Sequence, residues 1–221
     1  MSGEGGDTLA SLRDQAQEAV RSLRARIDHL DADGIDLILR DARSHYAWTD
    51  KPVTEDMLRI LFDITIAGPT SMNTCPARFV FVTTDAARGR LAKSLKAKNV
   101  DKMRAAPVTA IIAWDPDYWK RLDFLFPHED RKPLFAGNAD YAHDTAYRNS
   151  TLQGAYFMIA ARAMGLDVGA MSGFSNQIVD EEFFSENGWK SNFLCNLGYA
   201  DETALFQKLP RFDFDDVCEV I

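Results

Sequence analysis

The sequence predicts an α+β fold, and three observations carry that expectation. Helical and strand-like stretches alternate from Asp36 onward, without an internal repeat or a low-complexity tract. Two runs, Phe79-Val-Phe-Val-Thr83 and Pro107-Val-Thr-Ala-Ile-Ile-Ala-Trp114, are apolar and rich in β-branched or aromatic residues, as short buried strands are. A long apolar-rich stretch from Thr145 to Met164 reads as a central helix stopped by Gly165.

Residues 1–33 stand apart as a helical extension, leaving 34–221 as the main domain. After a Gly-rich start, Leu9, Leu12, Ala16, Val20, Leu23, Ile27 and Leu30 recur every three or four residues and make one apolar helix stripe. The stripe suits packing on its own domain or docking to a partner. The helix is expected to stop at Gly34. Thr54 to Ala67 reads as a helix with Met57, Leu58, Leu61 and Ile64 on one face and Thr54 as N-cap. Gly68 to Pro76 is a loop by its Gly, Pro and Asn content, and Asp85 is positioned to cap the helix after the Phe79 strand. Asp115 to Asp140 reads as a long, irregular, aromatic insertion, a length more typical of a lid than of a spacer. In the helix from Thr145, the small residues Ala146, Gly154, Ala155, Ala160 and Ala161 allow close approach of a neighbouring helix. Val168–Met171 and Phe193–Leu197 complete the strands, and the tail runs through Leu209-Pro-Arg-Phe-Asp-Phe214.

Composition narrows the function classes. The chain has 221 residues, 46% of them apolar and 26% charged, which is globular rather than disordered. With 25 Lys and Arg against 33 Asp and Glu the net charge is −8, so phosphate backbones and anionic lipid surfaces are poor partners. No apolar run approaches the about 20 residues that span a bilayer. The first residues are acidic and Gly-rich, unlike a signal peptide, and the three cysteines are odd in number and scattered; both point to the cytoplasm.

Several chemistries lack their motifs. There is no GxGxxG after a strand, no GxxxxGK[ST], no GxSxG and no HExxH, and His29, His45, His128 and His143 have no metal-ligand spacing. No metal site is expected. Cys75 is either a nucleophile beside His45 or His128 or a free packing cysteine. What remains is a set of polar loops: Arg43-Ser-His-Tyr46, Pro69-Thr-Ser-Met-Asn73, Asn99-Val-Asp-Lys102 and Leu209-Pro-Arg211. Two Arg-bearing loops flanking amide and hydroxyl donors suit an anionic, hydrogen-bonding cofactor.

These landmarks, with Gly165-Leu-x-x-Gly-Ala-Met-Ser-Gly-Phe174 and Asn196-x-Gly-Tyr199, keep their order and spacing from about residue 36 to the end. Over that span the chain resembles the nitroreductase family of FMN-dependent NAD(P)H oxidoreductases. The resemblance implies a nitroreductase-like fold, a central mostly antiparallel sheet flanked by helices, in an intertwined homodimer with FMN at the interface. Gly68-Pro-Thr-Ser-x-Asn-x-x-Pro-Ala-Arg78, Leu125-Phe-Pro-His-x-Asp130 and Arg148-Asn-Ser150 are most similar to the branch that reduces malonic semialdehyde to 3-hydroxypropanoate in bacterial pyrimidine catabolism. Carried over by residue, the resemblance implies that Arg43 and Arg211 clamp the FMN phosphate, with Ser44 and His45 in the same loop. Asn99 and Lys102 would meet the pyrimidine edge, Lys102 as a cation near N1. Met171, Ser172 and Gly173 would line N5, and Pro69, Thr70, Ser71 and Asn73 would come from the other subunit. Tyr46 stands where relatives often have a cation, and Ala42 where many have an arginine.

A carboxylate-bearing acceptor also calls for a local cation, and Arg78, Arg121, His128 and Arg131 are the candidates, unless they form ion pairs with Asp115, Asp117, Glu129 and Asp130. The leading expectation is therefore a flavoenzyme using NADH or NADPH as reductant. Its rivals are a broad nitro or quinone reductase and, in another class, a non-catalytic ligand-binding homodimer on the same fold.

Overall fold

The computed structural model describes residues 9–26, 30–205 and 207–221, and separates the chain into two units, Met1–Asp36 and Leu37–Ile221. In the first, helix α1 spans Leu9–Arg26, as the apolar stripe requires; Ile27 of that stripe lies outside the described residues. Gly34 does not act as a stop. The Asp31 carboxylate accepts from the Gly34 amide at 2.7 Å and so caps a new short helix, α2 (Ala32–Ile35), with Gly34 inside it.

A π-helical turn over Asp36–Arg40 begins at the last residue of the first unit and carries the chain into the second. Helix α3 (Glu55–Ile66) starts where Thr54 Oγ1 accepts from the Met57 amide at 3.3 Å. Its buried face is Leu58, Leu61 and Thr65; Ile64, expected inside, is 46% exposed. Strand β1 (Ala77–Val82) leads to α4 (Asp85–Ala92), and here the cap is Thr84, whose hydroxyl accepts from the Ala87 amide, while Asp85 occupies the first turn. Helix α5 (Ala97–Ala105) and strand β2 (Val108–Trp114) follow.

The insertion is more ordered than its sequence suggests. A 3₁₀ turn (Tyr118–Arg121), α6 (Leu122–Leu125) and α7 (Lys132–Ala136) bring Tyr118, Leu122 and Phe135 into a buried cluster with Trp114, Ala142 and Ala146. Helix α8 runs over Ala139–Ala163, starting six residues earlier than the apolar pattern shows, because Asn138 caps it by accepting from the Tyr141 amide. It ends before Gly165, whose φ of +77° suits glycine. Strand β3 (Asp167–Met171), α9 (Asn176–Phe183), β4 (Lys190–Gly198) and α10 (Phe214–Val217) complete the chain.

The four strands form one antiparallel sheet in the order β1-β2-β4-β3. All seven residues of β2 are buried, as a sheet covered on both faces demands. Val108, Ala110 and Ile112 point to one side, where Phe157, Ala160 and Ala161 of α8 and Leu58 and Leu61 of α3 cover them. Ile111 and Ala113 point to the other, against Leu91, Met103, Val179 and Phe184. Gly154 explains how closely α8 sits: a Cβ there would lie 2.5 Å from the Phe193 ring of β4. The small residues of α8 thus serve helix-on-sheet packing as well as contact with α3. Ile112 fills the first of these cores and is fully buried. Ile112→Ala is expected to cost about 2–5 kcal/mol, read as a lower urea midpoint at unchanged m-value.

Candidate functional site

Edge strand β3 receives the loop that follows the π turn. The His45 amide donates to the Val168 carbonyl at 2.9 Å, and Ser44 forms a parallel bridge with Val168. This approach needs a glycine opposite, since a Cβ on Gly169 would lie 2.1 Å from the His45 carbonyl oxygen. The His45 imidazole is turned inward, its Nε2 3.3 Å from Asp167 Oδ1, and its Nδ1 is buried without a hydrogen-bond partner among the described residues. Burial lowers the His45 pKa below 6.5; Asp167 opposes that shift, and Arg162 and Arg43 add to it. Arg162 reaches from α8 to donate to the carbonyls of Ile38 and Arg43 at 3.3 and 3.4 Å, so the long helix holds the same loop from behind.

Beside this loop lies a cavity of about 610 Å³ bordered by Arg43, Ser44, Tyr46, Arg162, Lys208 and Arg211. Four of its described lining residues are cationic and none is acidic, in a chain of net charge −8. Arg211 is exposed, its guanidinium donating to the carbonyls of Leu209 and Pro210.

Lys102 projects from α5, and its Nζ lies 5.1 Å from the centre of the Tyr46 ring. The turn that carries it is fixed from the sheet: Asn196 on β4 accepts from Thr109 Oγ1 at 2.7 Å and donates to the Lys102 carbonyl at 3.0 Å. One turn earlier, Asn99 Nδ2 donates to the Gly173 carbonyl at 3.1 Å; a Cβ on Gly173 would come within 2.7 Å of that amide. Met171 and Ser172 line a neighbouring cavity of about 300 Å³ with Ala155, Met158 and Phe193. The structure therefore joins Asn99 to Gly173 directly and links Lys102 to the Arg43–Tyr46 loop through Tyr46.

The Pro69–Asn73 loop is placed differently. Met72, Asn73 and Cys75 hold φ values of 48°, 49° and 39°, a strained run fixed from several sides. Asn149 and Gln153, one turn apart on α8, accept from the Ser71 and Ala77 amides, and Tyr156 donates to the Pro69 carbonyl. Asn73 donates to the Leu125 carbonyl, and the Thr70 hydroxyl accepts from the Cys75 amide. Among the described residues these contacts run to α8 and the insertion rather than to Arg43–Tyr46 or Lys102. The Cys75 thiol lies near Thr70 and Asn73, and its described hydrogen bonds include no histidine base.

Of the four cations considered for an acceptor carboxylate, Arg78 is committed to Asp115 at 2.7 Å and to the carbonyls of Cys75, Pro76 and Ala77. Arg131 pairs with Glu129, and His128 stands edge-on to Phe126. Arg121 is exposed on the insertion, and none of Arg121, His128 and Arg131 borders the cation-lined cavity. No group of three or more His, Cys, Asp or Glu among the described residues could hold a metal ion. Arg162 and Asp167 were not singled out in the sequence, although both shape this region. A lone arginine near the end of an apolar helix and an acid opening a buried strand were the available signals.

The fold is a two-sided α+β sandwich with a cation-lined cavity at one edge of its antiparallel sheet. Residues 39–199 match the model of the Nitroreductase family, and the chain belongs to that family. It is 51% identical over 191 residues to a Stenotrophomonas maltophilia (strain K279a) protein named "Putative NADH dehydrogenase/NAD(P)H nitroreductase Smlt0482", covering 86% of this chain and 97% of that one. A Rhodopseudomonas palustris (strain TIE-1) protein of the same descriptive name is 48% identical over 187 residues, 85% of this chain and 95% of its own. Among solved structures, a nitroreductase family protein from Streptococcus pneumoniae TIGR4 superposes with a TM-score of 0.74 at 22% identity, over 83% of this chain and 98% of that one. A "putative nitroreductase in complex with FMN" from Exiguobacterium sibiricum 255-15 superposes with a TM-score of 0.75 at 19% identity, over 88% of this chain and all of that one.

The buried imidazole makes stability pH-dependent. Because the folded pKa of His45 lies below 6.5, the unfolded chain takes up a proton first as pH falls through 6.5, and stability is lost on the acid side. Urea unfolding of His45→Gln is expected to show a shallower fall in stability from pH 7 to pH 5 than the wild type; equal slopes contradict it.

Proposed function

We propose that this protein is an FMN-dependent NAD(P)H oxidoreductase. The observation that carries the reading is the concentration of Arg43, Arg162, Lys208 and Arg211 around one cavity of a strongly acidic chain. Guanidinium forks suit a phosphate dianion better than flexible ammoniums do. FMN fits the donor set: Arg43, Arg211 and Ser44 for the phosphate, Asn99 and Lys102 for the pyrimidine edge, and the backbone of Met171, Ser172 and Gly173 for N5. The Asn99–Gly173 contact and the absent Cβ of Gly173 keep that last segment close to α5. The FMN complex of the E. sibiricum structure and the NAD(P)H nitroreductase names of the relatives support the same reading.

When bound, FMN supplies hydride transfer from NADH or NADPH to an acceptor at N5. The chain's own part is electrostatic and positional. Lys102 would supply a positive charge for the ring region that becomes negative on reduction, and Arg43 and Arg211 would hold the phosphate.

The domain from 34 to 221 would work as a homodimer, with Pro69, Thr70, Ser71 and Asn73 completing the partner's cofactor site. Support comes from apolar surface: α3 exposes Ile60, Phe62 and Ile64, α8 exposes Tyr147, Leu152 and Ile159, and the tail exposes Phe212, Phe214 and Val220. Cys75, Cys195 and Cys218 are all free, and no described helix is long and apolar enough to cross a membrane; both suit a cytoplasmic enzyme.

For the acceptor, the reading is malonic semialdehyde, with Arg121 or His128 of the insertion meeting its carboxylate, since Arg78 and Arg131 are already paired with acids. A broad nitro or quinone reductase is the second reading, favoured by those same ion pairs. Steady-state comparison of malonic semialdehyde, a quinone and a nitroaromatic with NADH and NADPH separates them. The first reading expects the highest kcat/KM for the semialdehyde, with Arg121→Gln or His128→Gln raising its KM far more than that of the quinone. Preference for the quinone makes the broad reductase correct, and protein that binds ligand without flavin reduction makes it a binding homodimer.

Lys102→Met keeps an unbranched chain while removing the charge. It is expected to weaken FMN binding by about 1.5–3 kcal/mol and to slow flavin reduction at little cost in stability, measured by fluorescence titration and stopped-flow bleaching. Unchanged affinity and rate would remove Lys102 from the site.

A further inference from the structure

The ammonium of Lys102 has an unusual neighbour. Among the described residues it forms no ion pair with an acid; its partner is the face of the Tyr46 ring, 5.1 Å from the ring centre. A lysine ammonium sits at the end of a flexible four-carbon stem, so fixing its carbonyl through Asn196 orients the helix turn without fixing the charge. Tyr46 also borders the cavity lined by Arg43, Arg162, Lys208 and Arg211, whose fields repel a fifth cation. A carboxylate would hold Lys102 there but would cancel its charge. An aromatic face attracts the ammonium through its quadrupole and leaves the net positive charge intact.

We infer that Tyr46 is a positioning residue that holds the Lys102 ammonium on its ring while leaving that charge available to the anionic reduced flavin. The inference rests on the FMN reading above. The ring does the work rather than the phenol hydroxyl. Tyr46 itself is held by the backbone pairing of its loop with β3, where the His45 amide meets Val168 and Gly169 admits the chain. An aromatic residue bordering a cation-lined cavity thus becomes a means of aiming a cation that comes from elsewhere.

The test uses the FMN-loaded enzyme with Tyr46→Phe, Tyr46→Leu and each change combined with Lys102→Met. Loss of the ring is expected to weaken FMN binding about two- to five-fold, the size of one exposed cation–π contact. It is also expected to lower the two-electron midpoint potential by about 10–20 mV, because the anionic reduced form should lose a further two- to five-fold in affinity relative to the oxidised form. Tyr46→Phe should match the wild type on both counts. In the Lys102→Met background Tyr46→Leu should shift neither quantity further. In the apoprotein, the Lys102 ε-methylene protons should resonate upfield in the wild type and in Tyr46→Phe, and return toward free-lysine values in Tyr46→Leu. Normal FMN binding with an unshifted potential in Tyr46→Leu overturns this inference alone. So does a Tyr46→Phe that behaves like Tyr46→Leu, or an equal shift in the Lys102→Met background. Failure of the wild type to bind FMN overturns this inference and the flavoenzyme reading together.

Discussion

Burial of β2 on both faces is the constraint from which the rest of the structure follows. A strand with no solvent-facing side must be covered twice, and α8 is the principal cover on one side. Once Phe157, Ala160 and Ala161 seat α8 on the sheet, the positions on its other faces are fixed in space. Asn149, Gln153 and Tyr156 then meet the backbone of residues 69–77, and Arg162 meets the carbonyls of Ile38 and Arg43. One helix therefore mounts both the loop of residues 69–77 and the loop that carries Arg43. The strain of Met72, Asn73 and Cys75 is affordable only because these contacts, with the Arg78–Asp115 pair, overdetermine the loop.

Charge is organised on a finer scale than the net value of −8 implies. Acids elsewhere outnumber bases, yet the cavity beside β3 gathers cations without an acid among its described lining. Where an acid does approach, it faces His45: Asp167 binds the imidazole and, through its second oxygen, accepts from the Ala200 amide. That arrangement spends the negative charge on joining the loop to the sheet and keeps it away from the cavity. The Lys102–Tyr46 contact has the same logic, holding a cation without neutralising it.

How much of this was legible in the sequence depended on how local each signal is. The double-sided strand was readable because its apolar run has no alternation, and the Thr54 cap and Gly165 stop were readable because each is set by its nearest neighbours. The start of α8 was not, because Tyr141, His143 and Asp144 break the apolar pattern there and only the Asn138 cap marks the beginning. The short helices of the insertion fall below the length at which periodicity can speak. Ile64 was misassigned because its helix is apolar on more than one face, which the sequence alone reads as core. Arg43, Ser44 and Arg211 could be proposed as one cluster only through the family resemblance, and the structure places them around one cavity. Arg162 and Asp167 escaped notice, and Tyr46 was noticed without its contact to Lys102, because their partners lie 119, 122 and 56 positions away, beyond any local pattern.

Under the proposed function a complete cofactor site would need two copies of the chain, since the described contacts of the Pro69–Asn73 loop run to α8 and the insertion. Native mass spectrometry of the FMN-loaded protein tests this most directly. A species of twice the 24.8 kDa chain mass carrying two FMN is the predicted result, with flavin and dimer lost together on dilution or mild acid. A stable monomer that retains one FMN would contradict it.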